Sequence, residues 1–68
     1  DRRLAALKER PDDLSVIQDA ALSIVEFHRL NGRGNLEYAL FLLRRLATRS
    51  KPVGPAIDYC QERINAPQ

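Results

Sequence analysis

Two residue types with catalytic or metal-binding chemistry occur once each in this 68-residue chain, a histidine and a cysteine. His28 has no cysteine or histidine partner at the spacing of a metal site, and the sequence offers no neighbouring group that would activate it for catalysis. Cys60 falls on the apolar side of a predicted helix, where cysteines generally pack and do not react. We therefore interpret both as structural residues and predict no metal and no cofactor.

The carboxylates do not form the pair that general acid–base catalysis requires. Asp12 and Asp13 precede one predicted helix, and we assign Glu37 and Asp58 to the first turns of two others. Helix capping and the helix dipole account for acidic residues at such positions. The three glycines lack the strand, turn and lysine of a phosphate-binding loop. The sequence therefore predicts a protein that is not an enzyme and has no small-molecule substrate.

Basic residues concentrate toward the end of the third predicted helix, and they give the best signal for a nucleic-acid partner. The four candidates are Arg44, Arg45, Arg49 and Lys51. If they share one face, that end of the chain could hold a phosphate backbone. The alternative, which we favour, is a solvated surface where the helix C-terminus stabilises positive charge. A net charge of +2 is compatible with either reading.

The composition is that of a small globular domain, with 44% hydrophobic and 29% charged residues. A single cysteine cannot form an intramolecular disulfide, which favours a reducing, cytoplasmic setting. No apolar run approaches the length of a membrane span, so we predict no membrane partner. We predict one helical domain over residues 1–68 with a frayed tail at 65–68. Because the chain contains no methionine, we expect it to be part of a longer protein.

Residues 36–47 form the most apolar stretch, and their apolar side chains recur at helical spacing. The predicted buried stripe consists of Leu36, Ala39, Leu40, Leu43, Leu46 and Ala47. Tyr38 and Phe41 point away from that stripe, so this helix is apolar on two sides. We predict that Tyr38, Phe41 and Arg45 contact another protein or a second copy of the chain. The alternative is that the two aromatic rings pack against a neighbouring helix.

Three further helices surround this stretch. Residues 1–10 form the first, which ends before Pro11. The second spans about 14–30 after a capping aspartate. Its predicted apolar face consists of Ile17, Ala20, Ala21, Ile24, Phe27 and His28. Pro55 fits the first position of the last helix, which follows a turn at 51–55. The predicted apolar positions of that helix are Ile57, Cys60 and Ile64.

The segment between the second and third helices predicts how the two are arranged. Gly32 can adopt the left-handed conformation that ends a helix, and Asn35 can cap the next helix, which should reach about residue 50. So short a connection makes the two helices antiparallel neighbours. The sequence thus predicts an all-α fold, a small bundle of four short helices built on a central antiparallel helix hairpin.

This hairpin resembles a tetratricopeptide-type helical repeat. In that family small and bulky residues lie one turn apart on the first helix, and a glycine-containing turn leads to a second helix with an alanine and further bulky residues. The matching residues, from about 6 to 52, are Ala6, Pro11, Ile17, Ala20, Ala21, Ile24, Gly34, Leu36, Ala39, Leu43, Leu46 and Pro52. The resemblance implies a scaffold that binds proteins.

The same hairpin also resembles the ANTAR domain, a three-helix RNA-binding output module of bacterial regulators. Residues 16–20 are similar to the start of its first helix and residues 39–47 to its second, and a short closing helix follows in the same order. Ala21 and Leu22 stand where that family usually has a lysine and a glycine. We therefore predict a non-enzymatic protein-interaction or assembly module. The rival is a small RNA- or DNA-binding regulatory module that uses the arginines near the end of the third helix.

Overall fold

The structure, a computed structural model, describes residues 2–46 and 52–65, with side chains from Ala5 onward. In those ranges it contains four helices and no strand. The helices are α1 (Arg2–Glu9), α2 (Leu14–Asn31), α3 (Leu36–Arg44) and α4 (Val53–Ile64). The predicted all-α bundle on a central antiparallel hairpin, here α2 and α3, is confirmed. Residues 66–68 of the predicted frayed tail lie outside the described residues.

Both ends of α2 are fixed by the residues that the sequence indicated. The Asp13 carboxylate accepts hydrogen bonds from the backbone N–H groups of Ser15 and Val16, at 3.0 and 3.4 Å. At the other end Gly32 is left-handed, with φ 70°, and its N–H donates to the His28 carbonyl at 2.7 Å. Glycine adopts this conformation without a Cβ clash, so the chain can reverse within a few residues and begin α3.

The third helix begins where it was predicted to begin and ends earlier than predicted. The Asn35 side-chain oxygen accepts a hydrogen bond from the backbone N–H of Tyr38, with 3.0 Å between oxygen and nitrogen. This bond caps the first turn of α3. We expected the helix to reach about residue 50, but its last α-helical residue is Arg44. The N–H groups of Arg45 and Leu46 donate to carbonyls three residues back, at 3.1 and 2.8 Å. This tighter turn ends the α-helix and brings Leu46 into the core.

The fourth helix begins two residues before the predicted start. Val53 is its first residue, so Pro55 occupies the third position and Asp58 lies beyond the first turn. An N–H at the third helical position has no acceptor within the helix, so a proline fits there as well as at the first position. The earlier start places Val53 with Cys60 in the core, whereas Ile64, predicted to pack inward, is exposed.

The core lies where α2 meets α3 and α4. Three small residues at this junction are completely buried, Ala20 and Ala21 on α2 and Ala39 on α3. Because their side chains are short, the helix backbones can approach closely. Larger buried side chains, among them Ile17 and Leu43, belong to the same core cluster.

Two predicted apolar faces are rotated in the structure. On α3, Leu42 is buried at 2% exposure although it lay outside the predicted stripe, while Leu40 is only partly buried. Leu42 and Leu7 of α1 line the same hollow. On α2, Phe27 was predicted to be buried but is 52% exposed. It lies about 80° around the helix axis from Ile17, at the edge of the buried face.

The described part of the chain measures 36 × 25 × 15 Å. Packed helices lie about 8–10 Å apart, so the thinnest dimension accommodates no more than two layers of helix. Among the described helices, α2 and α4 pack against α3, and one side of α3 faces none of them. None of the helices in the described ranges has the length and apolar character needed to cross a lipid bilayer.

Candidate protein-contact surface

The uncovered side of α3 carries two aromatic side chains one turn apart. The rings of Tyr38 and Phe41 stack with 6.4 Å between their centroids and 17° between their planes. Phe41 is 61% exposed and Tyr38 is 41% exposed, whereas Leu36 and Leu43 on the opposite side are buried. The predicted difference in burial is confirmed, and the role of these rings in binding stays a prediction. We use the name α3 patch for Glu37, Tyr38, Phe41, Arg44 and Arg45.

A hollow lies on each side of Phe41. The first, of 390 Å³, is closed on its far edge by Leu7, Lys8 and Pro11, at the end of α1. The second, of 420 Å³, is closed on its far edge by Ile64 of α4. The Phe41 side chain therefore projects between these two hollows, which we call the grooves. Sequence reasoning missed these contributions of α1 and α4, because no local pattern indicates which residues of other helices border a surface.

The two described arginines of the candidate set lie at the C-terminal end of this surface. Arg44 and Arg45 are both exposed. The Arg45 guanidinium lies 3.8 Å from the Asp12 carboxylate, and an ion pair this long and exposed contributes little to stability. Arg49 and Lys51, the other two nucleic-acid candidates, lie outside the described residues. The structure thus brings together half of the predicted basic cluster and places an acidic side chain beside it.

The single histidine makes a contact between helices. His28 Nδ1 lies 3.0 Å from the hydroxyl of Tyr59 on α4, and the two rings meet edge to face with 5.9 Å between centroids. The Arg63 guanidinium lies 5.1 Å from the centre of the Tyr59 ring. This cluster joins α2 to α4 and gives the histidine a hydrogen-bond partner on a partly buried face. Sequence reasoning missed Tyr59, because nothing local pairs residues 31 positions apart.

The remaining candidates for chemistry lie in structural positions. Cys60 is completely buried, and burial raises the pKa of its thiol. The thiol therefore stays protonated at neutral pH, and a thiol is a much weaker nucleophile than a thiolate. Asp13 caps α2. Across residues 2–46 and 52–65, no three His, Cys, Asp or Glu side chains come close enough together to hold a metal ion.

The chain matches no model of a known protein family, and no curated protein or solved structure is significantly similar to it. The resemblances to tetratricopeptide repeats and to the ANTAR domain stay predictions.

Proposed function

We propose that the chain is a non-enzymatic protein-interaction or assembly module and that the α3 patch is its contact surface. The observation that carries this proposal is the exposure of Phe41, 61% on a nine-residue helix whose opposite side is buried. Isolated exposed apolar residues are common in proteins. Here the exposed ring stacks on Tyr38 and stands between two grooves, so a partner could bury it on both sides.

The residue types of the α3 patch favour protein binding. Tyrosine, phenylalanine and arginine are enriched in protein–protein interfaces, and a few such residues usually carry most of the binding energy. The patch combines Tyr38, Phe41 and Arg44 on one short helix with Arg45, the residue that caps its C-terminal end. The aromatic rings would supply apolar area, and the arginines would supply orientation at the rim.

The order in which the helices pack also supports a scaffold. Each helix packs against the next one in the chain, and α4 also packs against α2. Helical repeat proteins are built from units that contact their neighbours in this way and present extended surfaces to partners. We therefore include the tetratricopeptide-like arrangement in the proposal.

A photo-cross-linking residue introduced at Phe41 tests this function in cells that produce the chain. We expect cross-links to protein from position 41 and none above background from the matched control at Asp19, which is exposed on α2 away from both grooves. Mass spectrometry of the cross-linked peptides identifies the partner, and Phe41→Ser must then abolish its binding to the purified chain. Equal cross-linking from positions 41 and 19 would contradict the proposal.

The rival function, RNA or DNA binding, has the exposed Arg44 and Arg45 in its favour. Asp12 and Glu37 lie beside them, and carboxylates repel phosphates. The two functions are separated by retention of the chain on RNA or DNA at low salt. Retention that falls steeply with added salt and is lost in Arg44→Glu/Arg45→Glu would favour the rival.

A further inference from the structure

We propose that the occupant of the α3 patch is a second copy of this chain, docked with its α3 antiparallel to the first across a two-fold axis at Phe41. This inference rests on the proposed function and names its partner. The patch carries one acidic residue toward the start of the helix, Glu37, and an arginine at its end, Arg44. An antiparallel copy brings opposite charges together at both ends of the contact.

The spacing of the charges around Phe41 fits this arrangement. Glu37 precedes Phe41 by four residues and Arg44 follows it by three, which places them about 6 Å and about 4.5 Å along the axis on either side. At about 100° per residue both lie on the same flank of the helix, about 40° and 60° from Phe41. A two-fold axis perpendicular to α3 inverts position along the helix and keeps the flank. Glu37 of each copy therefore faces Arg44 of the other.

The opposite flank fits the same symmetry. Tyr38 precedes Phe41 by three residues, and Arg45 follows it by four. The same two-fold axis therefore places the Arg45 side chain of one copy against the Tyr38 ring of the other, a favourable arrangement for a guanidinium. The groove on either side of Phe41 can receive the ring of the second copy. The free chain offers little competition, since Asp12, at 3.8 Å, is the only ion-pair partner of Arg45 among the described residues.

The mixed charge of the patch favours a copy over a partner of one charge. An acidic partner would be attracted by Arg44 and Arg45 but repelled by Glu37. A basic partner would be attracted by Glu37 but repelled by the two arginines. Within the described residues, neither Glu37 nor Arg44 forms an ion pair in the single chain. A symmetric copy gives each of these two charges an ion-pair partner. Closed two-fold pairs are also the commonest form of association between identical chains.

Sedimentation of the purified chain at increasing concentration, with a charge-swap series, tests the arrangement. We expect a monomer–dimer equilibrium in the parent. Glu37→Arg and Arg44→Glu should each weaken the dimer roughly tenfold, because each creates two repulsive pairs. The double variant Glu37→Arg/Arg44→Glu should recover most of the parent affinity. Glu62→Arg is the matched control, with the same charge change on an exposed glutamate of α4 outside the patch, and should leave the affinity unchanged.

The double variant excludes loss of helix stability as the cause of weakening. Both reversals oppose the helix dipole, so instability alone would make the double variant the worst dimer rather than a restored one. Far-ultraviolet circular dichroism checks that each variant stays helical. If a charge-reversed variant loses its helical structure, the neutral variant at that position, Glu37→Gln or Arg44→Gln, replaces it. A monomeric parent at millimolar concentration, or a double variant no tighter than either single one, would overturn the inference.

The outcome also separates this inference from the proposed function. If the cross-linking residue at position 41 captures a different protein while the purified chain stays monomeric, the proposed function holds. The inference that the partner is a second copy is then wrong. If position 41 gives no specific cross-link to any protein, both fail. Cross-links between two α3 segments, together with rescue in the double variant, support both.

Discussion

At the scale of single residues, Leu43 and Phe41 separate core from surface on the same helix. Leu43 is completely buried and Phe41 is 61% exposed, although they are only two positions apart. We expect Leu43→Ala to lower the free energy of unfolding by about 2–5 kcal/mol, because it removes buried methyl groups and leaves a cavity. Phe41→Ala should change it by less than about 1 kcal/mol. Urea unfolding followed by circular dichroism measures both.

The two variants control each other, because both shorten an apolar side chain on α3. Since small domains have only about 5–15 kcal/mol of stability, Leu43→Ala is expected to leave the chain partly unfolded at room temperature. Losses of equal size from the two variants would show that Phe41 packs in the core. The proposal of an exposed contact surface would then be wrong.

Residues that act through their immediate neighbours could be predicted from the sequence. Asp13 and Asn35 cap helices through hydrogen bonds to N–H groups two or three positions away, so the local sequence determines them. The contact between His28 and Tyr59 depends on how α2 and α4 cross, which no local pattern encodes. The burial of Leu42, which lay outside the predicted stripe, likewise depends on how the helices pack together in the core.

At the scale of elements, two glycines with equal space around them should respond differently to alanine. A Cβ at Gly32 or at Gly54 meets nothing within 4 Å, so backbone conformation alone decides the effect. Gly32 has φ 70°, and we expect Gly32→Ala to cost about 1–2 kcal/mol. Gly54 lies in the first turn of α4 directly before Pro55, whose ring disfavours the helical conformation for a preceding residue with a Cβ. This cost offsets the gain in helix propensity, so Gly54→Ala should change the free energy of unfolding by less than about 1 kcal/mol.

The pair is measured by thermal unfolding, with the parent as reference. The expected result is a lower melting temperature for Gly32→Ala and a nearly unchanged one for Gly54→Ala. A stabilising effect of Gly32→Ala would mean that the link between α2 and α3 does not need the left-handed conformation. The antiparallel hairpin would then depend on packing alone.

Helix ends were predictable where one residue type fixes them, by its backbone conformation or by its side chain. Gly32 and Asn35 mark the ends of α2 and α3 in the sequence, and the structure has them there. The end of α3 at Arg44 and the start of α4 at Val53 were not predictable. Helical spacing continued through residue 47, and Pro55 is compatible with either the first or the third helical position. Tertiary packing of Leu46 and Val53 decides both boundaries.

At the scale of the whole molecule, the sequence predicted that α3 is apolar on two sides, and the three-dimensional arrangement decides which side is covered. The helix α2 lies between α1 and α3, and α4 packs against both α2 and α3. No described helix remains to cover Phe41. That outcome depends on the number and placement of the neighbours, which helical periodicity alone does not contain.

Global stability should depend on pH through the buried thiol of Cys60. Burial raises its pKa above the ordinary value of 9.0, so the folded chain holds this proton more tightly than the unfolded chain does. Well below pH 9 the thiol is protonated in both states, and its contribution to stability is complete. As the pH rises through the unfolded and then the folded pKa, the unfolded state releases the proton first. Stability then falls, by at most about 1.4 kcal/mol per pH unit.

Urea unfolding of the parent and of Cys60→Ala, under reducing conditions from about pH 8 to about pH 10, measures this dependence. The variant lacks the thiol and leaves a small cavity, so it should be less stable than the parent at pH 8. Because the two proteins differ only at position 60, the difference between the two curves isolates Cys60. We expect the difference to shrink as the pH rises. Curves that stay parallel would show that the thiol ionises as easily in the folded chain as in the unfolded one, and that Cys60 is not sealed in the core.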